Sequence, residues 1–182
     1  MTPSITRSRV TLLALIFVFA LPALIAKLVL SQHWYNSGVT NKGQLIDPSA
    51  NFEALGIKNP YFGEQWQLGY VVPAKCDAIC QQHLHLLKQS HIALGKYQQR
   101  VAPVVFVRED SDLAAIEGLS FDVISVNEAF SQVVDRSEYV IVDPLGQLVM
   151  RYPNVQSEDK LVAQSKDVLG DLRKLLKLSR VG

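Results

Sequence analysis

Hydrophobic and polar positions divide this chain into an unbroken apolar start, a polar punctuated stretch, and a longer region where two periodicities alternate. From Val10 to Ala26 no charged side chain appears, and Leu28-Val29-Leu30 continues the run beyond Lys27. A helix of that length can cross about 30 Å of hydrocarbon. Lys27 lies close enough to its end to reach the headgroups, and Pro22 costs less in lipid than in a soluble helix. Val10 to Leu30 is therefore predicted to be a transmembrane anchor. A cleaved signal peptide ending near Leu24-Ile25-Ala26 is the alternative, but the run is long for one and Leu24 is not a small residue. Arg7 and Arg9 precede the segment, and the next basic residue after Lys27 is Lys42. By the positive-inside rule residues 1–9 stay cytoplasmic, and the C-terminal part lies in the periplasm, held on the inner membrane by a single pass.

Residues 31–65 are polar and punctuated by Gly38, Gly43, Pro48, Gly56, Pro60 and Gly63, which reads as a connector, with room for one short strand. Beyond it, Trp66 to Val72 alternates and stops at Pro73, a strand followed by a turn. From Asp77 to about Lys96 the period becomes helical, with Cys80, Leu84, Leu87, His91 and Leu94 on one stripe. Val101 to Val107 is a buried strand, followed by a short helix at Leu113 to Glu117 and a strand at Phe121 to Val126. Tyr139 to Val142, the turn Asp143-Pro-Leu-Gly146, and Gln147 to Tyr152 form a hairpin. Ser157 caps a last helix whose acidic start and basic end suit the helix dipole, and whose apolar face carries Leu161, Val168, Leu169, Leu172, Leu175 and Leu176. The order predicts an α/β domain over 66–182, a thioredoxin-like mixed sheet with covering helices.

Composition narrows the function. The 182 residues carry a net charge of +1, with 48% hydrophobic and 19% charged side chains, which describes a folded chain with an apolar end. No basic, aromatic-rich stripe points to nucleic acid. Both cysteines, Cys76 and Cys80, fall in one short stretch after a strand and at a helix start, where open α/β sheets place their sites.

A helix N-terminus favours the thiolate, the form that attacks disulfides and binds soft metals. Cys76-x-x-x-Cys80 can close into a disulfide if Cys76 lies just before the first helical turn. Two sulfurs would also suit Cu(I), with His83, three positions on, as the nearer imidazole and His85 the farther one. An exposed surface position is the alternative for His83. His91 lies on the apolar stripe as a hydrogen-bonded, half-buried residue, and His33 is interfacial. The pair can also be a permanent staple, although so short a loop contributes only about 2 kcal/mol. Asp110, Asp112, Glu158 and Asp159 read as solvated or capping carboxylates.

Trp66 to Pro73, the Cys76-x-x-x-Cys80 pair, Val101 to Val107 with its acidic loop, and Tyr139-Val-Ile-Val-Asp-Pro-Leu-Gly146 together resemble the Sco/SenC family of membrane-anchored, thioredoxin-like copper chaperones. The resemblance implies a role in cytochrome oxidase assembly. It also implies a copper site formed by the two cysteines and a histidine just before the hairpin. Arg136 occupies that histidine's place and cannot ligate copper, and Asp77 replaces the family's proline after the first cysteine. An arginine close to the pair favours thiolate, which suits thiol–disulfide exchange better than metal holding.

The resulting expectation is an accessory factor for cytochrome oxidase biogenesis that acts on a membrane protein complex, the oxidase or its assembly factors, through Cys76 and Cys80, by thiol–disulfide exchange or by copper handling. Such a factor need not turn over a small substrate. The alternative is an interaction protein whose cysteines are a structural disulfide. A peroxidase is a third class, but no Pro-x-x-x-Thr/Ser-x-x-Cys arrangement leads into Cys76.

Overall fold

A computed structural model describes residues 4–31 and 40–179, in two units, Met1–Thr40 and Asn41–Gly182. The first contains α1, Ser4–Ser31, which carries Pro22 within it. Its Arg9–Leu28 segment has a mean hydropathy of 2.4, and none of it is buried against protein. By length and composition this helix can cross a membrane once. His33 lies outside the described residues.

The second unit is built on one sheet. Its strands are β1 Gln44–Leu45, β2 Trp66–Val71, β3 Val101–Val107, β4 Asp122–Ser125, β5 Tyr139–Val142 and β6 Leu148–Tyr152, in the spatial order β1-β6-β5-β2-β3-β4. The pairs β2/β3 and β3/β4 are parallel, while β2/β5, β5/β6 and β1/β6 are antiparallel. The sheet is mixed because a long helical crossover returns the chain parallel after β2, whereas the tight Asp143–Gly146 turn must return it antiparallel. In that turn the Asp143 carboxylate accepts the N–H groups of Leu145 and Gln147, and Gly146 adopts φ +87°.

Period-two alternation divides the side chains of β2 between two cores. Trp66, Leu68, Tyr70 and Val72 face the layer of α2, Ala78–Ala93, and α4, Glu158–Leu178, whose Leu84, Leu87, Val168, Leu172 and Leu176 are buried there. Val71 faces the other layer, with Phe106, Val140 and Leu148. That second face is covered by Phe52 and Ile57 from the segment expected to be a connector, and by Phe130 of the short α3, Glu128–Ser131. Residues 41–65 therefore pack with the sheet, and β1 forms its edge.

Two expected details change. The short helix at 113–117 is a 3-10 turn, Leu113–Ile116. Ser157 stands at the start of α4 without a capping bond from its side chain, so the helix begins on packing and acidic charge instead.

Gly69 lies opposite Val104 and Val140 in the central strand, and a Cβ there would run into the Phe106 ring. Gly69→Ala is expected to cost about 1–3 kcal/mol, the usual penalty for overpacking a filled core. It should appear as a lower urea midpoint with an unchanged slope. An unchanged midpoint would mean that Phe106 can move aside.

Candidate functional site: a disulfide at the start of a helix

Cys76 and Cys80 are joined as a disulfide with their Cα atoms 5.1 Å apart. The chain reaches this position because β2 ends inside the sheet, so the turn after Val72 has to emerge at the carboxyl ends of the parallel strands. Asp77 then caps α2, its carboxylate accepting the Cys80 N–H at 2.9 Å. The cap leaves Cys76 just outside the first turn and Cys80 inside it, the placement that lets an i,i+4 pair close.

Neighbouring loops hold this turn. The Ser111 hydroxyl donates to the Val72 carbonyl at 2.8 Å, and the Asp112 N–H donates to the Pro73 carbonyl at 2.9 Å. The Asp112 carboxylate accepts the Cys76 N–H at 3.1 Å. Asp112 is thus a positioning residue for the pair rather than the solvated carboxylate expected of it. Its contact runs across 36 positions of chain, and no local pattern marks it. On the opposite flank, the Ser137 N–H donates to the Val71 carbonyl at 2.9 Å, with Ser137 in the left-handed region at φ 61°. The adjacent Glu138 is buried, and its pKa is raised by that burial although Arg151 lies 3.7 Å away.

The two sulfurs differ in exposure. Cys80 is 3% exposed and belongs to the core that also holds Tyr70, whereas Cys76 is half-buried and packs against the outside of that core. A nucleophile from solution therefore meets Cys76 first. Asp110 and Leu113 line an open cleft of about 760 Å³ together with Arg108, Asn127 and Arg136.

The other expected site residues fall elsewhere. Arg136 pairs with Asp110 at 2.5 Å, both side chains about half exposed, so its charge is committed to that carboxylate and not to Cys76. His85 is exposed. His91 is half-buried, with Nε2 at 2.8 Å from the Val101 carbonyl and 3.2 Å from that of Gln98. His83 is fully buried, so neither the exposed position nor a ligand position expected for it is found. Its ring stacks on Tyr70 at 5.0 Å and tilts against Tyr139 at 5.1 Å. Burial drives its pKa down to about 4, against the weaker opposing pull of the Val155 backbone, the Asn154 side chain and the Asp77 charge.

A copper site of the kind the resemblance implies needs a third donor beside the two sulfurs. Arg136 cannot supply one, the His83 ring is enclosed by tyrosines, and among the described residues no three His, Cys, Asp or Glu side chains converge so as to hold a metal ion. These residues do not fit copper in that manner.

Residues 66–179 match the family described as transmembrane-like, thioredoxin-like, C-terminal domain. The chain belongs to that family. This match and the sheet order agree on a thioredoxin-like fold, with the disulfide at the carboxyl end of β2 as its most chemically capable feature. No curated protein matches the chain. Among solved structures it is similar to yeast Sco1, at 16% identity and TM-score 0.48, over 65% of this chain and 83% of that one. It is also similar to apo Sco1 of Thermus thermophilus, at 17% and 0.46 over 65% and 88%, and to peroxiredoxin Q of Xanthomonas campestris, at 15% and 0.44 over 64% and 82%. Likenesses this distant do not choose between chaperone and peroxidase chemistry, and the family assignment does not rest on them.

Proposed function

We propose that this protein is a membrane-anchored thiol–disulfide exchange factor that acts on cysteines of a partner protein at the periplasmic face. The observation that carries this reading is the asymmetry of the Cys76–Cys80 bond at the start of α2, one sulfur half-exposed and the other buried. A staple has no need of an accessible sulfur. Exchange does, because a thiolate must approach one sulfur in line with the bond and displace the other.

A partner thiolate attacks Cys76 Sγ, and the bond to Cys80 breaks with its electron pair leaving on Cys80 Sγ. The partner's second thiolate then attacks its own sulfur in the mixed disulfide and releases Cys76. The two protons of the partner's thiols end on Cys76 and Cys80, so the partner is oxidised and this chain reduced. The reverse order reduces a partner disulfide. The Sco/SenC resemblance directs the search for that partner to cytochrome oxidase assembly, with copper delivery set aside on the donor set.

The test uses the full chain in detergent with dithiothreitol as the probe dithiol. The bond is expected to open in the folded protein within minutes, with one equivalent of dithiothreitol oxidised. A bond that opens only when the domain is unfolded by urea would identify a structural staple and overturn the reading.

A further inference from the structure

The sheet ends on β4, which pairs with β3 alone. At the end of their parallel ladder the Val126 N–H donates to the Val107 carbonyl at 2.9 Å. Successive strand residues aim their N–H and C=O groups at opposite edges. Asp122, Ile124 and Val126 therefore turn theirs toward β3, and Val123 and Ser125 turn theirs outward, where a further strand can pair with them.

Side chains add a second feature on the α2 face of this edge. Helix α2 packs on β2 and β3, and beyond it Val105, Leu113, Ile116, Leu119, Phe121 and Val123 line a groove of about 470 Å³. Leu113, Leu119 and Val123 are 57%, 39% and 54% exposed, so the apolar lining is open to solvent. Contiguous apolar surface of this kind marks an interaction site.

Charge selects the occupant. Residues 109–128 carry Glu109, Asp110, Asp112, Glu117, Asp122 and Glu128 and no lysine, arginine or histidine, in a chain of net charge +1. Arg136 offsets Asp110, but Glu117 lines the groove and Asp122 stands in β4 itself. Two copies meeting edge to edge would set these carboxylates against each other, whereas a basic segment is attracted to them.

We infer that β4 and its groove bind an extended segment of the partner protein as an added strand, with apolar side chains at alternate positions and lysine or arginine at its flanks. The outward backbone groups of Val123 and Ser125 pair with the segment, its apolar side chains enter the groove, and the carboxylates hold its cations. The surface lies toward the sulfurs. Strands β2, β3 and β4 are parallel, so β4 ends at the end of the sheet where the chain leaves β2 for Cys76, and Leu113 of the groove follows Asp112, whose carboxylate accepts the Cys76 N–H. That docking presents a partner's cysteine to Cys76 rests on the exchange reading above, while docking itself does not.

The experiment titrates the full chain in detergent, with its disulfide closed, into a fluorescein-labelled peptide Lys-Val-Thr-Val-Thr-Val-Lys, read by fluorescence anisotropy. The peptide has no cysteine, so a structural disulfide leaves this measurement untouched, and the dithiothreitol test is blind to docking. Saturable binding is expected, weakening as sodium chloride rises from about 50 to about 500 mM. Val123→Pro deletes an outward N–H and spares the ladder to β3, and it is expected to weaken binding roughly tenfold. Leu113→Ser combined with Leu119→Ser changes only exposed side chains, is expected to act as strongly, and decides the matter alone should Val123→Pro not fold. No binding, or equal affinities for the unaltered chain and the folded variants, would overturn the inference. So would equal binding of a peptide with glutamate at both ends. A dimer seen by sedimentation and lost in either variant would assign the edge to a second copy and likewise overturn it.

Discussion

A chain carrying Cys80→Ser is expected to react with oxidised glutathione on the order of 100-fold faster than one carrying Cys76→Ser, and to stop at a stable mixed disulfide. Cys76 stays half-exposed at the start of α2 once its partner sulfur is removed, with the helix dipole favouring thiolate. Cys80, left alone, is enclosed with Tyr70 and Leu84, and it reacts only when the start of α2 opens. An opening cost of about 2.7 kcal/mol is enough to give the stated ratio. Mass spectrometry of the adduct over time measures it. Equal rates for the two variants would show that the burial asymmetry has no chemical consequence.

The second large effect is on stability and lies far from the sulfurs. Asp171 of α4 is 2% exposed, and its carboxylate accepts four bonds: from the Lys42 N–H at 2.6 Å, the Gly43 N–H at 3.0 Å, the Tyr152 hydroxyl at 3.1 Å and the Lys174 ammonium at 3.3 Å. It ties the first residues of the second unit to its last helix and to β6. Asp171→Ala leaves two backbone N–H groups and a buried hydroxyl without their acceptor. The expected loss is about 3 kcal/mol, since hydrogen bonds to a charged group are worth roughly 1.5–3 kcal/mol each and water recovers part of them.

The same contact predicts a pH dependence. Burial alone would raise the Asp171 pKa, but the Gly43 and Lys42 N–H groups, with Tyr152 and Lys174, outweigh burial and hold it below the ordinary carboxylate value. A pKa that is lower in the folded state stabilises the fold above the unfolded value, and that contribution disappears as the pH falls through the folded value. Urea titrations of the unaltered chain should therefore lose stability on acidification below about pH 4. Asp171→Ala should lose less over the same range. Parallel acid curves for the two proteins would remove Asp171 as the clasp.

Much of this was legible along the chain because it depends on local periodicity. Alternation ending at Pro73 gave β2 and the Asp143–Gly146 turn gave the β5–β6 hairpin, each within a residue or two of its observed limits, while the apolar run gave α1, whose helix begins six residues earlier, at Ser4. That the pair can close into a disulfide followed from spacing and from the expected position of the helix start. What escaped depends on contacts between segments distant in the chain. Asp112 reaches Cys76 across 36 positions, and Asp171 reaches Lys42 across 129, so neither carboxylate differs locally from a solvated one. His83 was misplaced for a related reason. The helical stripe runs through Cys80, Leu84 and Leu87, and the buried face is broad enough to take in His83 as well, because Tyr70 and Tyr139 arrive from two strands to cover it.

Arg136 shows the limit of reasoning from resemblance. Its place before the hairpin suggested a cation beside the sulfurs, whereas the side chain meets Asp110 in a loop that no pattern joins to it. On the exchange reading, the α2 N-terminus is the remaining thiolate-favouring group at Cys76, the Asp112 and Asp77 carboxylates that accept the Cys76 and Cys80 N–H groups oppose it, and the redox poise of the pair follows from the two.

That poise is the most direct test of the central claim. The full chain in detergent is equilibrated against a graded series of reduced and oxidised glutathione, and the fraction of closed Cys76–Cys80 is read by alkylation and mass shift. An exchange factor is expected to show a reduction potential above about −230 mV, within the range of dithiol oxidoreductases, whereas a value below about −300 mV is that of a structural disulfide and would contradict the account.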